Sequence, residues 1–166
     1  MTVALLKSIA DQVPSGRVLL GLDVGKKTIG VAVSDDSQKI ATPVETVQRI
    51  KFSRDLKEIE RLVREFEAAG FVIGLPVNMD GSEGRSAQSV RDFALELERQ
   101  ISRDILAHPV WIGLWDERLS TGAVEDIVDE LVDKKKKRLR AKQDGLTDKL
   151  AAQLILQEAL DYLARK

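Results

Sequence analysis

Five consecutive residues, Val18-Leu19-Leu20-Gly21-Leu22, carry no polar side chain and run directly into a carboxylate, Asp23. No other feature constrains the fold as much. A run without polar side chains at odd and even positions alike has no solvent face, so as a strand it must be covered on both sides. Burying an unpartnered charge in such a strand costs at least ~2 kcal/mol even with partial compensation. Asp23 is therefore expected at the strand's open end, within reach of a metal, a donor or water. Gly25 follows, with no side chain to block a backbone approach, and residues 28–33 restart as a second strand. The spacing is that of a hairpin. It differs from the strand-to-helix Gly-x-Gly-x-x-Gly of dinucleotide binders.

The periods along the chain extend this start into a fold. Residues 17–22, 28–34 and about 39–47 read as three strands separated by short polar turns, Asp35-Asp36-Ser37 being the second turn. Leu56, Ile59, Leu62, Val63 and Phe66 then recur at helical spacing, with Gly70 as the expected C-terminal cap. Residues 71–74 form a short strand, 75–84 a loop, and 86–102 a helix with Val90, Phe93, Ala94 and Leu97 on one face. Residues 110–115 are the last predicted strand. A third helix is marked by Ala123, Val124, Ile127, Val128, Leu131 and Val132, with Ser120 or Thr121 as N-cap. Thr147 is the expected cap of a final helix whose apolar side includes Ala151, Leu154, Ile155, Ala159 and Tyr162. Strands joined by short turns are antiparallel, and those joined through helices are parallel with right-handed crossovers. The expected class is α/β: a mixed five-stranded sheet, three antiparallel strands then two parallel, flanked by helices.

With 166 residues the chain suits one domain with a full core. Residues 17–166 are read as that domain. Residues 1–16 are read as an extension, a short amphipathic helix and a Pro14-Ser15-Gly16 linker, because they lack the basic start and cleavage site of a signal peptide. No apolar stretch approaches the ~18 residues of a membrane span. The absence of cysteine excludes thiol catalysis, disulfides and thiolate zinc sites, and a cytoplasmic location fits. The net charge of −1 carries no global nucleic-acid signature, so any such footprint must be local.

In a sheet of this kind ligands gather beyond the carboxyl ends of the parallel strands. Asp23, the 75–84 loop and Asp116-Glu117-Arg118 are expected to meet there, and Asp148 completes the cluster if the last helix packs across the same edge. Several carboxylates, one histidine and no cysteine suit Mg²⁺ or Mn²⁺ better than zinc. Two such ions ~3.5–4 Å apart can clamp a scissile phosphate. If one strand separates the first from the fifth, their backbones lie ~9–10 Å apart and the side chains must converge. Alternation groups Asp116 with Ile112 and Leu114, and Glu117 with Trp111 and Trp115.

Each residue also has a plain structural reading. Asp23 can be a turn residue, and Asp116-Glu117-Arg118 an ion-paired loop. Asp148 in a first helical turn is favoured by the dipole whatever its function. His108, before Pro109, reads as a surface loop residue, and Trp111 and Trp115 as core. Lys134, Lys135, Lys136, Lys137 and Arg138, with Arg140 and Lys142, form either a solvated run or a phosphate-backbone contact.

Gly21-Leu22-Asp23-Val24-Gly25, Ile29-Gly30-Val31-Ala32-Val33-Ser34-Asp35, Gly74-Leu75-Pro76-Val77-Asn78-Met79-Asp80-Gly81, Asp116-Glu117-Arg118-Leu119-Ser120-Thr121 and Asp148-Lys149-Leu150-Ala151-Ala152 together resemble the YqgF/RuvX family, over about residues 17 to 163. The resemblance implies a ribonuclease H-like fold related to Holliday-junction resolvases, and a metal-dependent phosphodiesterase maturing the 5′ end of precursor 16S ribosomal RNA in the cytoplasm. It places the catalytic acids on Asp23, the Asp116-Glu117 pair and Asp148. The expected ligands for Mg²⁺ or Mn²⁺ are Asp23, Glu117 and Asp148, with Asp116 in reserve. Lys26, Lys27, Asn78, Arg118 and the basic run from Lys134 to Arg138 are the candidate substrate contacts. Implied partners are structured RNA, including the pre-ribosomal particle, or branched DNA, for a monomer or a homodimer. Three alternatives stay open: branched-DNA cleavage, a non-catalytic RNA-binding module, and nucleotide phosphotransfer, for which the chain lacks a duplicated domain. Thr28 departs from the family pattern, standing where many members carry a basic residue.

Overall fold

The computed structural model describes residues 3–119 and 146–165. The apolar run forms β2 (Val18–Val24), which leads through a tight turn into β3 (Thr28–Ser34) and then β4 (Ala41–Gln48). In the turn the Gly25 N–H donates to the Thr28 carbonyl at 2.8 Å. Helix α2 (Phe52–Phe66) returns the chain to β5 (Ala68–Leu75), and α3 (Arg85–Gln100) carries it to β6 (Trp111–Asp116). A 3₁₀ turn, Glu117–Leu119, ends this part, and α4 (Leu146–Ala164) closes the described chain. The predicted third helix, its Ser120 or Thr121 cap and the basic run from Lys134 to Lys142 lie outside the described residues.

The sheet has six strands, in contrast to the expected five. The extension contributes an edge strand, β1 (Val3–Leu5), parallel to β6, before a short helix α1 (Leu6–Ile9). Residues 1–10 therefore include strand as well as helix. Leu6 is buried, and the Trp111 Nε1–H donates to the Ile9 carbonyl at 2.9 Å. The segment is amphipathic because it lies along one edge and face of the sheet. The strand order is β1-β6-β5-β2-β3-β4, with β2 parallel to β5 and antiparallel to β3. One strand, β5, separates β2 from β6.

Each face is covered, as a run without a polar side requires. On one face Leu20, Leu22, Ile29, Val31, Phe71, Ile73 and Leu114 pack with Leu56, Ile59, Val90, Phe93 and Leu97 of α2 and α3. On the other, Leu19, Ala32, Val72, Trp111 and Trp115 pack with Ala152, Ile155, Leu156, Ala159 and Leu160 of α4. The two tryptophans are core, 5% and 4% exposed. The α4 seam is offset from the expected set, with Ala152 and Leu156 buried and Ala151 and Leu154 half-buried. Close helix–sheet contact explains the offset. A Cβ on Gly21 would meet the Leu156 Cβ at 2.7 Å, and one on Gly74 would meet the Ile155 Cδ1 at 2.6 Å.

Two expected caps are displaced. Helix α2 ends at Glu67, held in the left-handed region at φ 54°, and its N–H donates to the Val63 carbonyl. Gly70 instead lies within β5, where a Cβ would meet the Trp111 carbonyl at 3.0 Å. Thr147 is the second residue of α4, inside its first turn. No helix of the described residues is long and apolar enough to cross a membrane.

Candidate active site at the carboxyl edge of the sheet

Strand alternation decides which acids meet. Asp23 follows Leu19 and Gly21 onto the α4 face, and its register partner on β3 is Gly30. A Cβ on Gly30 would lie 2.0 Å from the Asp148 carbonyl oxygen. The glycine thus leaves the space in which the first turn of α4 rests on the hairpin. Asp148 is thereby placed over Asp23, and the Thr28 hydroxyl donates to Asp148 Oδ2 at 2.9 Å. Glu117, in the turn after β6, reaches the same recess, where its Cδ would stand 3.4 Å from a Cβ on Gly74 of the intervening strand.

The electrostatics show that these acids share one field. The Asp23 pKa is raised to about 6, first by burial and then by the Asp148 charge. The Glu117 pKa is raised to about 7, first by burial and then by Asp23, Glu158 and Asp116. Removal from water and repulsion by like charges both disfavour the ionised form. Among the described residues no lysine or arginine pairs with either carboxylate.

The neighbouring Asp116 behaves oppositely. It alternates onto the α2/α3 side and accepts from the Arg118 guanidinium, Nη2 at 2.8 Å and Nε at 3.2 Å. That pairing holds its carboxyl below the ordinary range. Arg118 Nη1 lies 3.5 Å from the Met79 carbonyl, so the pair joins the end of β6 to the loop after β5. The loop is also closed on itself. Asn78 Nδ2 donates to the Ser82 hydroxyl at 3.0 Å, and Asp80 accepts from the Ser82 N–H and hydroxyl.

The structure thus brings Asp23, Glu117 and Asp148 to one recess and turns Asp116 away. Lys26 and Lys27 stand exposed on the hairpin, and Arg118 is engaged by Asp116 with one third of its side chain exposed. His108 is half-buried, in contrast to the expected surface position. Its ring Nε2 lies 2.9 Å from the Ile101 carbonyl and its Nδ1 3.7 Å from Glu98. Sequence reasoning missed two residues of the recess. Thr28 was legible by alternation, since it shares a strand face with Gly30. Glu158 carried no sequence signal, because its place beside Glu117 follows from the packing of Ile155 against Gly74 one turn earlier.

Among the described residues no three histidine, aspartate or glutamate side chains stand close enough to hold one ion between them. The donor set nevertheless fits a hard divalent cation in chemistry and charge. It consists of carboxylate oxygens, those of Asp23 and Glu117 desolvated and repelled by neighbouring acids, with no lysine or arginine paired to either among the described residues.

A family model described as Holliday junction resolvase, RuvX, matches residues 17–162. The chain belongs to the RuvX family. A relative from Rhodobacter capsulatus, named as a candidate pre-16S rRNA nuclease, is 49% identical over 96% of this chain and 92% of its own. One of the same name from Rhodospirillum rubrum is 44% identical over 100% and 96%. Among solved structures, Thermus thermophilus RuvC in complex with a Holliday junction substrate superposes with a TM-score of 0.54 at 14% identity, covering 90% of this chain and 97% of that one. The yeast mitochondrial Holliday junction resolvase Ydc2 does so at 0.50 and 14%, covering 96% and 85%. These two share the fold of this RuvX chain: α/β, with a mixed sheet flanked by helices and resolvase-like.

Proposed function

We propose that this RuvX chain is a divalent-cation-dependent nuclease that trims the 5′ end of precursor 16S ribosomal RNA in the cytoplasm. One observation carries the reading. Three carboxylates from distant parts of the chain meet in a recess at the sheet edge, and two of them have pKa values raised to about 6 and about 7, first by burial and then by neighbouring carboxylates. Asp23, Glu117 and Asp148 would hold Mg²⁺ or Mn²⁺ with their side chains drawn closer together than they stand in the structure. When bound, such a cation neutralises charge on the phosphate being attacked and on its leaving oxygen. The protein's own part is positioning. Thr28 orients Asp148, the α4 contact at Gly30 fixes its height above Asp23, and the Asp116–Arg118 pair holds the 76–84 loop beside the recess. The names of the close relatives favour RNA.

The family description supports branched DNA as the second reading. Purified protein offered precursor 16S RNA and a four-way DNA junction in parallel, with Mg²⁺ and with Mn²⁺, separates the two. Metal-dependent cleavage of the RNA, lost in Asp23→Ala, is the expected outcome. Cleavage of the junction alone would move the substrate to branched DNA. Cleavage of neither would leave a binding module.

A further inference from the structure

The opposite side of the same edge holds a cavity of about 300 Å³, bounded by Val24, Gly25, Lys26, Pro76 and Val90, with Arg85, Ser86 and Ser89 on its α3 wall. Val24 alternates away from Asp23, and Pro76 follows Gly74 and Leu75 out of β5. The cavity is therefore separated from the acidic recess only by the ends of β2 and β5. Among the described residues its polar side chains are two cations and two hydroxyls, and no carboxylate lines it. The acids of the adjoining turn and helix are engaged elsewhere. Glu83 is held bidentately by Arg91 at 2.6 and 2.8 Å, and Asp92 accepts from Gln88. Neither Lys26 nor Arg85 has an ion-pair partner among the described residues.

The turn that presents Lys26 is braced from behind. Arg49 Nη1 donates to the Gly25 carbonyl at 2.6 Å, and the Arg49 N–H donates to the Lys27 carbonyl at 2.9 Å. Its guanidinium lies 5.4 Å from the Phe93 ring and 3.8 Å from the buried Asp55. A cation on a fixed turn, facing a second cation and two hydroxyl donors across a cavity that no described carboxylate lines, has the chemistry of a phosphate site.

We propose that this cavity binds a backbone phosphate of the nucleic-acid strand flanking the one held at the acidic recess, with Lys26 and Arg85 as charged contacts and Ser86 and Ser89 as hydroxyl donors. The assignment of the strand rests on the nuclease reading; the affinity for phosphate does not. The cavity and the recess then grip successive parts of one strand from the two faces of the sheet.

Two measurements on the full chain test this. In ¹⁵N-labelled protein, inorganic phosphate is expected to shift the amide signals of Lys26 and of residues 85–89 saturably, and the shifts are expected to vanish in Lys26→Ala/Arg85→Ala. Both substituted side chains are exposed, so an otherwise unchanged spectrum is expected to show that this variant folds. In an Asp23→Asn background, a short single-stranded RNA with no terminal phosphate is expected to bind the double variant roughly tenfold more weakly. Its log–log salt slope should be shallower by about 0.7, the value for one phosphate neutralised on a single strand. Absence of phosphate-induced shifts, or shifts that persist in the double variant, would overturn the proposal. So would an unchanged RNA salt slope, even with wild-type cleavage intact. Failure of the nuclease reading would show differently, as wild-type protein that cleaves no nucleic acid whatever the cavity variants do.

Discussion

The two faces of one sheet edge carry opposite chemistry. Among the described residues, Asp23, Glu117 and Asp148 meet on the α4 face with no lysine or arginine paired to Asp23 or Glu117, whereas on the α3 face Lys26, Arg85, Ser86 and Ser89 line a cavity that no acid borders. The division runs between sequence neighbours. Asp23 and Val24 part to opposite faces, as do Asp116 and Glu117. Successive strand residues point in opposite directions, so a two-residue phrase at a strand end can serve two compartments. The pairing of Asp116 with Arg118 shows what Glu117 lacks. One carboxyl is held below its ordinary range by a neighbouring guanidinium, and the next is raised to about 7.

The most drastic way to break this contrast is to empty the acidic side. Asp23→Ala, Glu117→Ala and Asp148→Ala are each expected to lower metal-dependent cleavage by at least ~10²–10³-fold, with RNA affinity and fold preserved. Single-turnover rates beside binding isotherms would show it. Parallel loss of affinity and secondary structure in all three would mean a structural cluster. Next in size is Gly30→Ala, because the added Cβ would meet backbone, the Asp148 carbonyl, and only a shift of α4 can relieve that. A stability loss of about 1–3 kcal/mol, with disproportionate loss of activity, is expected in urea melts and rate assays. A neutral outcome would mean that α4 does not rest on the hairpin.

The hairpin, the crossovers and the covering of both faces were legible in the sequence, because Val18 to Leu22 offers no solvent side and the periods change cleanly at Leu56. The candidate acids were legible by type and topology. Their partition was not, since the face on which α4 lies depends on packing between distant segments, including the glycines Gly21, Gly30 and Gly74. Those glycines read as a backbone path to a ligand in one dimension, and as helix–sheet clearance once α4 is in place. The edge strand β1 escaped notice because three residues carry too little period to separate strand from helix.

Acid–base linkage sharpens the contrast further. The folded state holds the protons of Asp23 and Glu117 more tightly than the unfolded chain does, whose carboxyls ionise near 4. Their contribution to stability is therefore full below that pH and is lost as pH rises through about 6 and about 7. Asp116 contributes in the opposite sense, its share being lost only in acid. Asp23→Asn should accordingly stabilise the metal-free protein at pH 8 by on the order of 1–3 kcal/mol and by about half as much at pH 5, a difference that thermal melts at the two pH values would resolve. Equal effects at both would remove the charge argument. The smallest expected effect belongs to Thr28→Val, which removes the donor to Asp148 Oδ2. One hydrogen bond of about 0.5–1.5 kcal/mol corresponds to a several-fold fall in kcat with KM unchanged, partly restored by Thr28→Ser. A change in KM alone would place Thr28 in substrate binding instead.

The central claim is that three distant carboxylates form one field that a divalent cation neutralises. Its most direct test is a titration of the side-chain carboxyl carbons by NMR, with and without Mg²⁺. Without the cation Asp23 and Glu117 should titrate near 6 and near 7, and saturating Mg²⁺ should move both downward together while Asp116 stays low. Ordinary values in the metal-free protein, or raised values indifferent to Mg²⁺, would contradict it.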